Sequence, residues 1–313
     1  MRWLVAALLL ILSAAPAAAQ KRIALTFDDV PRDRGAFFTP DERTTRLIAG
    51  LHQAGVRQAA FYIVPGQIGH DDGIGGEERI KAYVAAGHVI ADHSFTHPHL
   101  SGMTAADYLA DIDKAEAWLK GREGRRPWFR YPFLDEGQKD KAKQDAVRAG
   151  LRARGLHNGY ATVDGSDWYI ESLTADAVKA GKAVDMAGLR DLYVTTMVGA
   201  ADFADQLSLK TWGRRATQVI VLHETDIAAL FIADLVRAFR ADGWEIVTAD
   251  KAYADPIAKL APDVPSANGT LLELAAWEKG VPPPRWYERN DMALASRLFA
   301  EQVLHEALPV PSK

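Results

Sequence analysis

The chain has 313 residues, 48% of them hydrophobic and 25% charged, which excludes a disordered or fibrous protein and leaves room for one large domain with an appendage. Its formal net charge of −4 excludes nucleic-acid binding by bulk charge. The absence of cysteine excludes disulfides and thiolate metal sites, so any metal must be held by histidine and carboxylate.

Residues 1–19 place one arginine before an apolar run and end in the small residues Ala17, Ala18 and Ala19, the pattern of a secretory signal peptide. The run at 3–12 is too short to cross about 30 Å of hydrocarbon as a helix. An exported chain is expected, periplasmic or secreted, with no stable membrane span once the signal is cleaved near Ala19.

A first strand is expected at 22–27. Thr39 and Pro40 then open a helix that turns Leu47, Ile48 and Leu51 inward and stops at Gly55, and 59–64 reads as a strand. The sequence of helix, glycine, strand recurs at 77–86, Gly87 and 88–90, and again at 144–154, Gly155 and 156–163. Its last occurrence is 227–242, Gly243 and 244–247, preceded by a strand at 218–222, and a short strand is expected at 128–130. The stretch 172–215 is mainly helical with no clear strand, as if one unit were missing or replaced.

This alternation suits a parallel sheet wrapped by helices. No glycine-rich phosphate loop follows the first strand, which ends instead in two aspartates, so a distorted (β/α) barrel of seven or eight units is expected rather than an open doubly wound sheet. From about Pro256 the alternation stops. Proline pairs and triplets bracket a helix at 271–278 and a last helix is expected at 291–308, giving a mainly helical C-terminal appendage. The expected organisation is a signal at 1–19, a catalytic domain at 20–255 and the appendage at 256–313. If the appendage only supports the fold, deleting it lowers stability without altering substrate preference.

Chemistry-bearing residues gather at strand ends. His93 and His97 lie four apart just after the strand at 88–90, and on a helical turn that spacing puts both imidazoles on one side, able to share a metal. The first strand ends in Asp28 and Asp29, adjacent carboxylates that cannot both point the same way from a strand. They can divide labour, one completing a His-His-Asp set on a divalent ion and the other staying off the metal to take a proton from water. His52, His70, His88, His99, His157 and His305 have no such company and read as structural or surface residues.

Together these motifs resemble the polysaccharide deacetylases, the NodB-homology enzymes of carbohydrate esterase family four, over roughly residues 22–250. By resemblance, Thr26-Phe27-Asp28-Asp29 makes Asp28 the general base and Asp29 a metal ligand, with Val30 where the family has glycine. The residues from His93 to His97 match the second motif and supply the other two ligands. Arg130, Tyr131 and Pro132 match the third motif, with Leu134 replacing its glycine. There Arg130 would orient Asp28, and the Tyr131 backbone N–H would help stabilise the oxyanion. In the fourth, Asp167 would tune the catalytic histidine and Trp168 line the acetyl pocket. In the fifth, His223 would be the general acid, and Val221 and Leu222 would contact substrate.

The resemblance implies hydrolysis of N-acetyl groups on an extracytoplasmic glycan such as peptidoglycan, poly-N-acetylglucosamine or chitin. The implied cofactor is a divalent metal, with zinc best suited to two imidazoles and a carboxylate, and cobalt or nickel as alternatives. The same residues would also serve an O-deacetylase on acetylated xylan or an amidohydrolase on a small non-sugar amide. Tyr131, Phe133, Trp168 and Tyr169 are candidates for stacking on sugar rings.

Overall fold

The structure is a computed structural model that describes residues 20–306. The expected signal segment and the final residues of the expected last helix lie outside them. No helix among the described residues is long and apolar enough to cross a membrane.

The central strand β1 (Lys21–Val30) sets the two faces of the sheet by simple alternation. Ile23, Leu25 and Phe27 are fully buried in the main core outside the sheet, where each contributes about 1.5–3 kcal/mol of burial. The alternate residues Ala24, Thr26 and Asp28 face the inside of the curved sheet. Next, α1 (Pro40–Gln53) starts with a capping box between Thr39 and Glu42 and buries Leu47 and Leu51. Gly55, at φ +65°, ends that excursion in the left-handed conformation that glycine adopts without penalty.

The alternation continues through β2 (Ala60–Ile63), α2 (Gly76–Ala85), β3 (Val89–Asp92), α3 (Ala105–Leu119) and β4 (Arg125–Phe129). Then come β5 (Asp135–Gln138), α4 (Lys141–Ala153), β6 (His157–Asn158), β7 (Val163–Asp164), α5 (Asp167–Lys179) and α6 (Met186–Trp212). The chain closes with β8 (Gln218–His223), α7 (Asp226–Ala241), β9 (Trp244–Ile246), α8 (Ala249–Ala252), β10 (Ala267–Asn268), α9 (Leu271–Glu278) and α10 (Met292–Gln302).

Seven strands form a parallel path in the order β6-β4-β3-β2-β1-β8-β7. Pairing with β8 covers residues 23–28 of β1, so β2 and β9 share its other edge, β2 at 26–30 and β9 at 21–23. The two ends of the path do not pair with each other, so the sheet is an incomplete, distorted barrel wrapped by helices, as the alternation predicts. The helical stretch expected at 172–215 is α5 and α6.

One predicted strand, 156–163, is split. Its halves are β6 and β7, at opposite ends of the sheet path. Between them the backbone leaves the ladder because its carbonyls are taken elsewhere. Gly159 and Tyr160 accept from the Arg130 side chain, and Ala161 accepts from Leu271 N. Gly159 also sits so close to the Tyr62 ring that an added Cβ would lie 2.4 Å from the Tyr62 hydroxyl oxygen.

The C-terminal segment packs into the barrel gap. β10 pairs antiparallel with β5, Gly269 N donates to Leu134 O, and Leu272, Ala276, Phe299 and Val303 are buried in the main core.

Candidate active site

Asp29, His93 and His97 meet at the C-terminal ends of β1 and β3, with one ligating atom from each within 4.8 Å of the others. Strand alternation alone would turn Asp29 away from Asp28. It does not, because Asp29 takes a left-handed backbone at φ +62°, which swings its carboxylate to the mouth of the same pocket that Asp28 lines. A non-glycine residue held there costs about 1–2 kcal/mol, as do Ser94 (φ +67°) and His97 (φ +57°) beside it.

The residues expected to place both histidines on a helical turn form a loop instead. Asp111 of α3 accepts from the Phe95 and Thr96 backbone N–H groups and from the Thr96 hydroxyl. Asp92, at the end of β3, accepts from Ser94 N at 2.6 Å, and Ser94 Oγ accepts from His97 N at 3.0 Å. These bonds satisfy the backbone that a helix would otherwise satisfy.

The donor set fits a divalent cation. Asp29 Oδ1 is buried with no hydrogen-bond partner, 2.9 Å from His97 Nε2 and 3.5 Å from His93 Nε2. Tetrahedral zinc with bonds of about 2.1 Å sets its ligand atoms about 3.4 Å apart. His93 Nδ1 lies 2.9 Å from Arg130 O, so it carries the proton and leaves the Nε2 lone pair free. Burial pushes the His97 imidazole down, which keeps it neutral. Burial alone would raise Asp29, but the close imidazoles of His93 and His97 and the charges of His223 and Arg32 hold it well below the usual carboxylate range. His93→Ala is expected to lower zinc affinity by more than the roughly 10–100-fold that loss of a merely supporting group costs, as read by titration against a zinc-binding dye.

Asp28 stands next to this set, with Oδ2 3.5 Å from His93 Nε2 and Oδ1 2.6 Å from Arg130 Nη1. Arg130 is fully buried and every N–H is used: Nε to Gly159 O, Nη1 to Thr26 Oγ1 and Asp28, Nη2 to Tyr160 O and the Tyr253 hydroxyl. Its guanidinium also lies over the Tyr62 ring at 4.0 Å. An arginine fixed on so many sides gives Asp28 one orientation.

His223 ends β8 and faces the pocket, with Nδ1 2.7 Å from Asp167 Oδ1 and its backbone N–H donating to Asp167 Oδ2 at 2.8 Å. Burial pulls the imidazolium down, but the charge and hydrogen bond of Asp167, with a smaller contribution from Asp29, more than offset this and take it up to about 9.

A cavity of about 420 Å³ joins these groups, lined among others by Asp28, Asp29, His93, His97, Val221 and His223. Phe133, 52% exposed, and Trp168, 37% exposed, stand on its walls, Phe133 stacked on His99 at 3.6 Å. Phe133 and Leu134 both have left-handed backbones, at φ +57° and +52°, so the position where the resembling motif has glycine keeps a glycine-like conformation. Leu222, expected beside Val221 as a substrate contact, is instead fully buried in the main core, because neighbours on β8 point to opposite faces. The Tyr131 ring is buried against Tyr108 and Phe129, which removes it as a stacking candidate.

Arg32, Asp92, Asp111, Tyr253 and Asn290 also shape the site and were not singled out from the sequence. Arg32, three residues past Asp29 and 2.5 Å from its Oδ2, could have been found by proximity in the chain. Asp92, directly before His93, could have been found the same way. Asp111, Tyr253 and Asn290 are brought in by tertiary contacts alone.

Residues 15–154 match the family model for polysaccharide deacetylase. The match ends before Asp167 and His223, whose relation rests on the geometry above. A chitin deacetylase of Colletotrichum lindemuthianum is 28% identical over 113 residues, covering 36% of this chain and 42% of that protein. The chain thus spans less than half the length of this curated relative.

Among solved structures, the chitin deacetylase from the fungal pathogen Colletotrichum lindemuthianum superposes with a TM-score of 0.51 at 20% identity, over 76% of this chain and 90% of that one. A mutant of a CE4 family pseudoenzyme gives 0.50 at 15% identity, over 76% and 71%. At such identities the likeness is one of fold. The presence of a pseudoenzyme on the same fold leaves the question of activity to the side chains at the site.

Proposed function

We propose, taking residues 15–154 as a polysaccharide deacetylase domain, that this chain is a metal-dependent hydrolase of N-acetyl groups on an acetylated glycan outside the cytoplasm. The observation that carries the reading is the convergence on one pocket of Asp28 held by Arg130, His223 held by Asp167, and the set of Asp29, His93 and His97.

A divalent cation held by Asp29, His93 and His97, zinc by its donor set, would polarise the acetyl carbonyl and acidify a water. Asp28 has Oδ1 committed to Arg130 and Oδ2 on the triad side, so Oδ2 takes the proton as water adds to the carbonyl carbon. His223, with Nδ1 committed to Asp167, gives the proton on Nε2 to the departing nitrogen as the C–N bond breaks. Acetate and a free amine are the products. The Tyr131 backbone N–H is the proposed donor to the oxyanion, and Val221 the apolar contact for the acetyl methyl.

Half-exposed Phe133 and Trp168 on the pocket lining support a sugar ring over a small free amide, since aromatic faces left in water suit stacking on a pyranose. Trp168→Ala and Phe133→Ala are each expected to raise KM for acetylated chito-oligomers about tenfold, the equivalent of about 1.4 kcal/mol, with little change for a small acetamide. Equal effects on both substrates would remove the stacking role.

The test of the whole reading is acetate release by protein stripped of metal and refilled with zinc, against acetylated chito-oligomers, peptidoglycan, acetylxylan and small acetamides. Zinc-dependent release from an N-acetylated glycan is expected. Release from acetylxylan alone would replace the amide with an ester, and release from small acetamides alone would replace the glycan.

A further inference from the structure

The turn that carries Asp167 is braced from a distant part of the chain. Asn290 ends the short 3-10 turn Glu288–Asn290, far outside the stretch matched to the family, yet it lines the catalytic pocket beside Asp164, Ser166 and Trp168. Its Nδ2 donates to Asp164 O at 3.1 Å, and its Oδ1 accepts from Ser166 Oγ at 3.2 Å. Both ends of one amide therefore hold the two sides of Gly165.

That turn needs holding. Ser166 has φ +52° and ψ +44°, a left-handed conformation that costs a non-glycine residue stability, and it directly precedes Asp167 at the start of α5. Within the turn itself, Ser166 N donates to Asp164 Oδ1 at 2.7 Å. A second tie from the same C-terminal segment joins the Tyr169 hydroxyl to Ser296 Oγ at 2.8 Å. Asn290 is itself anchored on α6, since neighbouring Arg289 donates to the Thr196 hydroxyl at 3.1 Å. Tyr287 seats so closely on Gly199 that an added Cβ would lie 2.3 Å from its hydroxyl oxygen.

We propose that Asn290 is a positioning residue for the reaction: it transmits the rigidity of α6 to the turn at 164–166 and so fixes Asp167 against His223. On this view residues 256–306 are part of the active site's frame rather than an appendage that only supports the fold. The inference rests on the proposed deacetylase reading for its kinetic consequence, but its structural consequence can be read without any activity.

The experiment compares the full-length protein with Asn290→Ala, Ser166→Gly and the double variant. Backbone amide exchange followed by mass spectrometry is expected to rise in peptides covering 163–169 of Asn290→Ala, with peptides from β1 and β3 unchanged. On the substrate that the wild type deacetylates, kcat is expected to fall about tenfold with KM within about twofold. Ser166→Gly in the Asn290→Ala background should restore most of both, because glycine takes the left-handed turn without a brace.

Wild-type exchange at 163–169 in Asn290→Ala would overturn the inference, and so would a double variant no better than Asn290→Ala. An inactive wild type with the exchange pattern as expected would instead count against the deacetylase reading and leave the brace standing. If Asn290→Ala does not fold, Asn290→Asp keeps the acceptor for Ser166 and replaces the donor to Asp164 with a carboxylate oxygen that repels the Asp164 carbonyl, and the same rise in exchange at 163–169 is expected.

Discussion

Asp28→Asn is expected to lower kcat by roughly 10²–10⁴-fold, the range for loss of a general base, while zinc content and fold stay as in the wild type. The metal survives because Asp28 is not among the three convergent ligand atoms, and because His93 is oriented by Arg130 O rather than by Asp28. The fold survives because the amide oxygen still accepts from Arg130 Nη1 where Asp28 Oδ1 now does.

Asp28→Ala should behave differently. It strands a fully buried guanidinium, and breaking a buried ion pair by removing one partner costs about 3–5 kcal/mol. Stability by urea denaturation, zinc content and acetate release on the two variants separate these effects. An asparagine variant with near-normal turnover would remove Asp28 from the role of base.

Asp167→Ala is the second large effect, and it has a pH signature. In the metal-free protein His223 is taken up to about 9 from an ordinary value of 6.5. Its acid form is therefore the main one below about pH 9 and is lost as pH rises through that value. Without Asp167 the downward push of burial remains while the main upward influence is gone, so the imidazole becomes neutral across the neutral range. A bound cation acts in the same direction as burial, so zinc should lower the His223 value in the wild type as well.

The expected result is a fall in kcat of about 10²-fold or more, with the alkaline limb of the rate profile moved to lower pH. Linkage gives a second readout with a definite sign. A raised folded value means that the pair's contribution to stability is fully present below pH 6.5 and disappears as pH rises through about 9. The contribution is of the order of 3 kcal/mol. Metal-free wild type should therefore lose stability between pH 6.5 and 9 relative to Asp167→Ala. Parallel curves for the two proteins would show that Asp167 does not hold the charge on His223.

How much of this could be read along the chain depends on the range of the interaction involved. Apolar periodicity and helix-ending glycines are local, and Gly55 does end an excursion after α1 as its position suggests. The split of 156–163 is not local, since it depends on Arg130 and Leu271 taking carbonyls that a continuous strand would have paired. Likewise, the spacing of His93 and His97 brings them together, but the loop that does so is shaped by Asp111, whose sequence neighbourhood says nothing of the site.

The sequence by itself determined the alternating β/α order, the absence of cysteine chemistry, and the placing of Asp28, Asp29, His93, His97, Arg130, Asp167 and His223 near strand ends, because side-chain type and local periodicity are properties of neighbouring residues. Only the tertiary structure decided that Asp29 turns back to join Asp28, that Val221 faces the pocket while Leu222 enters the core, and that Asn290 braces the turn before Asp167. Those outcomes rest on a left-handed residue, on which face of β8 the core covers, and on hydrogen bonds between residues more than a hundred positions apart, and none of these is a property of a short window of sequence.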